Sequence, residues 1–313
     1  MGEPTEIHTV TEEQAGMTVS ALVRELLPGT SWSKARELCE AGRVWVDGVA
    51  ATDPARRLSA GERVEVRLKG AVRRQDPADL VLHLDADVVV VRKPAGLLTV
   101  PFEKEDRETL LSLARVAVRR LDAKRGLEPN PSLRAVQRLD KETSGLVVFA
   151  RNVRAQRHLQ QQLSEHSVTR QYLAIVHGAA RDAIYDTLLV EDRGDGLRGS
   201  WGVFRPARGN PPPGARQAAT HVSVEERLRG ATLVTCALET GRQHQIRIHL
   251  AEAGNPLVGE TVYIRDYQGP RIQAPRPMLH AAVLGFVHPR SGKAVRFEDP
   301  LPADFVAVLA RLR

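Results

Sequence analysis

The sequence predicts an α+β fold, in which a large domain with a mixed sheet follows a small N-terminal α/β module. Two observations predict it. Stretches with helical periodicity, such as RETLLSLARVAVRRL, alternate with short strand-like runs such as LVVFA and ATLVTCAL, without internal repeats. Near the N-terminus, two helix patterns are followed by two strand patterns in one self-contained block.

The N-terminal block begins with TVSALVRELL, residues 18–27, whose apolar residues share one helical face and end at Pro28. SKARELCEAG predicts a second helix with Ser33 as its N-cap and Gly42 at its end. RVWVDGVAA and ERVEVRL predict short strands, the first with an Asp-Gly turn.

The pattern divides the chain into four parts. We expect a polar tail at residues 1–16, the small module at 17–69, a linker at 70–80 and the large domain at 81–313. Within the large domain, residues 192–217 are rich in Gly, Pro and Arg, which predicts a long surface loop.

Composition excludes several protein classes. Two cysteines, Cys39 and Cys236, lie far apart, so neither a disulfide scaffold nor a zinc ribbon is expected. The polar N-terminus is no signal peptide and no apolar run has membrane-spanning length, so we expect a cytoplasmic protein without membrane contact. The net charge of +7, mostly from arginine, fits nucleic-acid binding and equally a GC-rich genome.

The stretch VQRLDKETSGLVVFA, residues 136–150, places a polar turn before an apolar run. Leu146 to Phe149 predict a buried strand because β-branched and aromatic residues fit a pleated core surface. Arg138 and Asp140 flank a single leucine just before it. For two such charges alone, a solvated loop is the commoner explanation.

The stretch LETGRQHQIRIHLAEAGNPLVG predicts a helix from about Gln243 to Ala253. His244 and His249 are five residues apart, about 140° on a helix, which argues against a zinc site. Arg242 falls near the helix start, where a cation is unfavourable, so it needs an anionic partner. Asp140 is one candidate partner, although spacing alone does not show that they meet.

The strand-like run VTRQYLAIVHG places Tyr172, Ala174 and Val176 on one face. A tyrosine beside an aspartate can stack on a base or exchange a proton with it. A core tyrosine with a satisfied hydroxyl is the commoner explanation for Tyr172 taken alone.

Five collinear stretches within residues 84–302 resemble the RluA-type branch of the pseudouridine synthases. They are VRKPAGLLTV, QRLDKETSGLVVFAR, VTRQYLAIVHG, LETGRQHQIRIHLAEAGNPLVGETVY and MLHAAVLGFVHPRSGKAVRFEDPLP. The resemblance implies the pseudouridine synthase fold, with a central mixed, largely antiparallel sheet flanked by helices and loops. The chain departs from the family pattern at Glu260, where an aspartate is customary.

The resemblance also implies the site residues. Asp140 takes the position of the catalytic aspartate, Tyr172 that of the tyrosine beside the target base, and Arg242 that of the arginine paired with the aspartate. Arg138 matches the arginine that helps to hold the target nucleotide out of its stack. Lys93, in the turn KPAG, is a further predicted RNA contact.

The N-terminal block, residues 17–69, resembles the S4 RNA-binding domain in the order helix, helix, glycine, RVWVDG and AGERVEVR. The resemblance implies an RNA-binding surface that includes Lys34, Arg36 and Arg43.

The expected protein is therefore a monomeric RNA pseudouridine synthase without cofactor or metal, acting on ribosomal RNA in preference to transfer RNA. A non-catalytic RNA-binding or ribosome-assembly factor that keeps the fold is the main alternative. A nucleoside hydrolase is another, but it would need a second carboxylate to activate water, and the motifs offer only Glu142.

Overall fold

The computed structural model describes residues 6–47, 49–51, 53–68, 77–103, 106, 108–128 and 130–313. The chain divides into two compact units. The first comprises the N-terminal residues up to 76 with 273–275 and 302–311, and the second comprises 77–272, 276–301 and 312–313. Most of the predicted linker lies outside the described residues, and its last part forms a 3-10 helix, Pro77–Leu80.

The N-terminal part of the first unit contains a four-stranded antiparallel sheet in the order β1-β4-β2-β3 and two helices. Its elements are β1 (Glu6–Thr9), α1 (Val19–Leu26), α2 (Trp32–Glu40), β2 (Val44–Val46), β3 (Val49–Ala50) and β4 (Arg63–Val66). Strand β1 pairs with β4, so part of the segment predicted to be a polar tail belongs to this sheet. Three of its four residues are exposed, including Ile7, so the strand has no buried apolar face that a hydrophobicity pattern would reveal.

Helices α1 and α2 each begin with a side-chain cap. Thr18 Oγ1 accepts from the backbone N–H of Ala21, and Ser31 Oγ accepts from that of Lys34. The prediction of Ser33 as the second cap is wrong, because the extended backbone at Ser31 starts the helix two residues earlier. The predicted apolar face of α1 is confirmed, with Val19 and Leu22 fully buried in the core of this unit.

The second unit is built on a sheet in which the strand order is β11-β10-β12-β13-β9-β14-β8-β6-β5, with β7 beside β8 and β15 beside β14. The strands are β5 (Val81–Leu84), β6 (Val88–Lys93), β7 (Arg134–Ala135), β8 (Ser144–Ala150), β9 (Thr169–His177), β10 (Ala183–Val190), β11 (Gly199–Ser200), β12 (Arg216–Leu228), β13 (Ala231–Leu238), β14 (Leu279–Val287) and β15 (Ala294–Glu298). The helices in chain order are α3 (Leu110–Lys124), α4 (Val153–Ser164), α5 (Gln245–Glu252) and α6 (Ala303–Leu312), the last lying almost entirely in the first unit's residues.

Antiparallel pairing dominates this sheet, as expected. Among the described pairings of the second unit, β8 with β14 is the parallel one, with His280 opposite Ser144 and Ala281 opposite Gly145. No helix in the described part of the chain is both long and apolar enough to cross a bilayer.

Strand β8 lies at the centre of the core, and all seven of its residues are buried. Val147 and Phe149 belong to the cluster on one face with α3, while Leu146 and Val148 belong to the cluster on the other face with α4. Full burial of each such side chain contributes about 1.5–3 kcal/mol. The predicted buried strand is confirmed, and its two-sided burial explains why its sequence is continuously apolar rather than alternating.

The segment 192–217 is mostly the surface loop that its composition predicts, and residues 202–214 are exposed. Its ends differ from the prediction: Gly199–Ser200 forms β11 beside β10, and Arg216 and Gln217 already belong to β12.

Gly145 is the residue at which β8 and β14 approach most closely. Its φ is +116°, and a Cβ built there would lie 2.2 Å from the carbonyl oxygen of Ala281. A side chain at this position would therefore meet backbone atoms that have no room to move.

We predict that Gly145→Ala lowers the free energy of unfolding by at least about 3 kcal/mol, from the unfavourable φ and the clash together. Urea unfolding followed by circular dichroism measures it. Gly126→Ala is the control, because φ there is +69° but nothing lies within 4 Å of the added Cβ, so about 1 kcal/mol is expected. Equal losses in the two variants would contradict the close approach.

Candidate active site

The turn between β7 and β8 carries Asp140 and is held from three directions. Thr99 Oγ1 donates to the carbonyl oxygen of Leu139 at 2.9 Å and accepts from its N–H at 3.1 Å. Lys93 Nζ donates to the carbonyl oxygen of Lys141 at 2.7 Å. Arg276, itself buried, donates to the carbonyl oxygen of Glu142 at 3.1 Å. The backbone on both sides of Asp140 is therefore fixed by hydrogen bonds.

The Asp140 side chain is 26% exposed and faces two basic side chains of the α5 segment. Its Oδ1 lies 3.9 Å from Nε2 of His244, and its Oδ2 lies 3.8 Å from Nη1 of Arg247. Both distances exceed a hydrogen bond, so the groups act on the carboxylate by charge and dipole. One edge of the carboxylate stays open for a substrate.

The expected partner of Asp140 was Arg242, and the structure places Arg247 there instead. Arg242 is exposed, and its Nε donates to the carbonyl oxygen of Gln217 at 2.9 Å. Helix α5 begins at Gln245, two residues later than predicted, so Arg242 lies before its first turn. Arg247 lies inside the helix on the side that faces Asp140.

Arg247 is buried and is held by Glu260, whose side chain is completely buried. Nε and Nη2 of Arg247 donate to the two carboxylate oxygens of Glu260 at 2.8 and 2.7 Å, which is a bidentate pair. Glu260 Oε1 also accepts from the backbone N–H groups of Thr261 and Val262. Burial acts to raise the pKa of Glu260, but the hydrogen bonds and charge of Arg247 outweigh it and keep that pKa below its ordinary value.

His244 lies at the N-cap of α5 in the left-handed conformation, with φ +57°. Its Nδ1 lies 2.8 Å from the hydroxyl oxygen of Tyr263, and the two rings meet edge to face. Tyr263 also lies under the Arg247 guanidinium, at 5.2 Å from its ring centroid. The segment 260–263 thus supports both basic residues that face Asp140.

Tyr172 lies in β9, across the sheet from the Asp140 turn. It is opposite Ala281 of β14, which is in turn opposite Gly145 of β8. The side chain is 8% exposed, and Ala174 and Val176 join it in one core cluster, as the alternation predicts. Burial raises the pKa of Tyr172 to about 12, so its hydroxyl is neutral at neutral pH.

The two other residues predicted to contact RNA in this unit differ in exposure. Arg138 is exposed, two residues before Asp140, as an RNA contact requires. Lys93 is 1% exposed, and its ammonium group donates to the carbonyl oxygens of Pro94 and Lys141. The prediction of Lys93 as an RNA contact is therefore wrong for this conformation, because the side chain has no path to a phosphate. Burial lowers the pKa of Lys93 to about 7.

In the first unit, Lys34 and Arg36 are exposed on α2, and Arg43 is partly buried just before β2. Lys34 forms an exposed ion pair with Glu37 at 2.9 Å, and Arg43 Nη1 lies 3.4 Å from the carbonyl oxygen of Arg67. Exposed ion pairs of this kind are weak, so Lys34 can exchange Glu37 for a phosphate at little cost.

Residues outside the predicted set complete the site. Arg247 and His244 are three apart across the helix start, a spacing that puts both side chains on one side. That spacing is visible in the sequence, but the pattern favours Arg242, at the predicted helix start, over Arg247 inside the helix. Glu260 and Tyr263 lie too far along the chain for any spacing to connect them with Asp140.

Comparison with known proteins matches both units. The family described as RNA pseudouridylate synthase matches residues 87–252, and the S4 domain matches residues 19–64. The chain is 33% identical over 317 aligned residues to ribosomal large subunit pseudouridine synthase D of Nitrosomonas europaea, covering 97% of this chain and 87% of the relative. This chain belongs to the RNA pseudouridylate synthase family. It is an RNA isomerase with an N-terminal S4 domain.

A second relative agrees with the family assignment, and a solved structure shares the fold. The pseudouridine synthase is 35% identical to the uncharacterized RNA pseudouridine synthase YlyB of Bacillus subtilis, over 97% of both chains. Its fold matches human RNA pseudouridylate synthase domain containing 4, with a TM-score of 0.59 and 24% identity, covering 75% of this chain and 95% of the human chain.

A metal-type cluster lies elsewhere in the synthase. Among the residues that the structure describes, Asp85, Asp87 and His288 have ligand atoms within 4.8 Å of one another. His288 Nε2 lies 2.9 Å from Asp85 Oδ2, and Arg290 Nε donates to Asp87 at 2.5 Å. Protein groups therefore already bond to both carboxylates, and the cluster is a partly buried polar network.

We predict that Glu260→Gln destabilises the synthase by about 3–5 kcal/mol, because Arg247 is left buried without its counter-charge. Glu260→Asp keeps the charge and should lower the free energy of unfolding by less. Because the pKa of Glu260 is lowered by folding, its contribution is present above the unfolded pKa and is lost as pH falls. Urea titrations between pH 6 and pH 2.5 should therefore show a constant gap between wild type and Glu260→Gln above the unfolded pKa of about 4.3 and a narrowing gap below it; a gap that stays constant below that pH would contradict the pairing.

Proposed function

We propose that this synthase converts specific uridines of large-subunit ribosomal RNA to pseudouridine, with Asp140 as the nucleophile. The observation that carries the chemistry is the placement of the Asp140 carboxylate, which is fixed by its turn, partly exposed, and set between His244 and Arg247. The choice of RNA is supported by the name of a relative, ribosomal large subunit pseudouridine synthase D, whose alignment covers 97% of this chain. The S4 domain also supports it.

In the proposed reaction, the bond between N1 of uracil and C1′ of ribose breaks and a bond from C5 to C1′ forms. Asp140 either forms a bond to the nucleotide, which breaks again by the time C5 is joined to C1′, or assists cleavage of the glycosidic bond without an adduct. The uracil turns, C5 loses its proton and N1 gains one, and the free carboxylate is regenerated. Substrate and product are isomers, so the overall change is neither an oxidation nor a reduction.

Access to a uridine within structured RNA requires base flipping, at a cost of a few kcal/mol. Arg138, exposed two residues from Asp140, is positioned to fill the space that the base leaves. Tyr172 would stack on the flipped uracil. Its neutral hydroxyl is a poor base, which favours stacking over proton abstraction as its main contribution.

The S4 domain would supply phosphate contacts through Lys34, Arg36 and Arg43. A monomeric state and a cytoplasmic location, both expected from the sequence, stay predictions. Transfer RNA is the competing substrate, and a tritium-release assay on each RNA distinguishes it from ribosomal RNA.

We predict that Asp140→Asn abolishes pseudouridine formation while fold and RNA affinity remain, because an amide cannot act as the nucleophile. The assay is release of tritium from ribosomal RNA that carries 5-tritiated uridine and comes from cells lacking the synthase. Glu142→Gln is the matched control, because it removes a carboxylate from the same turn and should keep most of the activity.

The same assay distinguishes the alternatives. Tritium release by Asp140→Asn at the parental rate would remove Asp140 from the mechanism. Free uracil as the product would indicate a hydrolase, and activity on transfer RNA alone would change the substrate. No release from either RNA by the parent would favour the non-catalytic RNA-binding factor.

We predict that the double variant Lys34→Ala, Arg36→Ala weakens RNA binding and reduces the slope of log K against log salt concentration by about 0.7–0.9 for each lost phosphate contact. Filter binding at 50–200 mM salt measures the slope. Arg154→Ala, Arg157→Ala on α4 removes the same charge from exposed positions of the second unit. An equal change of slope in both double variants would show an effect of net charge rather than of the S4 surface.

A further inference from the structure

We propose that His244 is a positioning residue, whose Nε2–H, fixed by the hydroxyl of Tyr263, directs its dipole at one oxygen of the Asp140 carboxylate while the Arg247 guanidinium faces the other. The inference rests on the proposed catalytic role of Asp140. It adds Tyr263 and His244 to the machinery that sets the orientation of that carboxylate.

The geometry assigns one partner to each carboxylate oxygen. His244 Nε2 faces Oδ1 at 3.9 Å, and Arg247 Nη1 faces Oδ2 at 3.8 Å. A dipole facing one oxygen and a positive charge facing the other both favour a single orientation of the carboxylate about its Cβ–Cγ bond. That restriction favours the near-attack orientation of a nucleophile.

The tautomer of His244 in this proposal follows from the carboxylate that Nε2 faces together with the hydroxyl beside Nδ1. An anionic oxygen 3.9 Å from Nε2 favours a hydrogen on that atom, which leaves Nδ1 as the acceptor. Nδ1 lies 2.8 Å from the Tyr263 hydroxyl oxygen. Burial raises the pKa of Tyr263 to about 12, so the hydroxyl keeps its proton and can donate it to Nδ1. A neutral imidazole that accepts at Nδ1 carries its hydrogen on Nε2, the atom that faces Asp140.

The surroundings favour the neutral imidazole. The charged and titratable groups that face His244 are Asp140 from the turn, Arg247 from its own helix, Glu260 and Tyr263 from the following segment, and Arg198 from the loop before β11. Burial is the largest influence and lowers the pKa of His244. His244 then acts as a dipole, and Arg247 carries the positive charge.

The backbone at His244 adds a separate argument. A non-glycine residue at φ +57° costs about 1–2 kcal/mol, and asparagine or glycine would fit this helix start with less strain. Neither ring nitrogen of His244 makes a capping hydrogen bond to α5. Histidine at this position is therefore unfavourable for the helix, and its contacts to Tyr263 and Asp140 supply the reason for it.

Three variants separate positioning from mere stability. His244→Gly removes the imidazole and relieves the backbone, so it should be at least as stable as the parent but reduce kcat about tenfold or more, with KM for RNA unchanged. His244→Gln keeps a donor at the reach of Nε2 but retains the unfavourable φ. It should be less stable than His244→Gly and yet more active, an order that a structural role cannot produce.

Tyr263→Phe keeps the ring over Arg247 and removes the hydroxyl alone. It should lower kcat by a similar factor, and the double variant Tyr263→Phe, His244→Gly should be no slower than His244→Gly, because both act through one imidazole. Additive losses in the double variant, or unchanged kcat in both single variants, would overturn the proposal.

A measurement without substrate keeps the inference separate from the proposed function. Long-range ¹H–¹⁵N spectra of the full-length protein labelled with ¹⁵N-histidine, with His244 assigned by its absence in His244→Gly, should show a protonated Nε2 in the parent and a mixture of tautomers in Tyr263→Phe. A protonated Nδ1 in the parent would refute the inference. The expected tautomer in a protein that forms no pseudouridine would instead refute the proposed function.

Discussion

The buried pair between Arg247 and Glu260 is the interaction on which the site depends. Glu260, with no exposed surface, presents both oxygens to Arg247 and draws backbone N–H groups of its own segment onto one of them. A guanidinium so held has one free edge, and that edge faces Asp140. The desolvation of two charges is offset only because every donor around Glu260 finds an acceptor with good geometry.

The Asp140 turn is fixed by a different set of contacts, in which buried side-chain donors form hydrogen bonds to backbone carbonyls. Lys93, Thr99 and Arg276 come from distant parts of the second unit and each satisfies a carbonyl group of residues 139–142. Buried carbonyls without such partners would be costly, so the turn has one favoured conformation. Gly145 completes the arrangement, because the lack of a Cβ lets β14 pass directly beside β8.

Two mistaken expectations have the same physical origin. Arg242 and Arg247 flank the start of one helix, and Lys93 follows a strand in a turn that usually exposes its side chain. Local pattern gives each of them a plausible role. Which arginine reaches Asp140 depends on where the helix starts relative to β12, and whether Lys93 meets solvent depends on the loop folded over it. Neither is a property of the local sequence.

The sequence by itself determined the elements with clear local patterns: the continuously apolar run Leu146–Phe149 of the buried strand, the face of β9 that carries Tyr172, the first helix of the S4 domain, and the family to which the motifs point. These follow from local burial and from residues that lie close together along the chain. Tertiary structure alone decided the partners of Asp140, because Arg247, His244, Glu260 and Tyr263 reach it from segments that are more than 100 residues away in sequence. Contacts of that range are set by the packing of the whole sheet, which no spacing within a motif records.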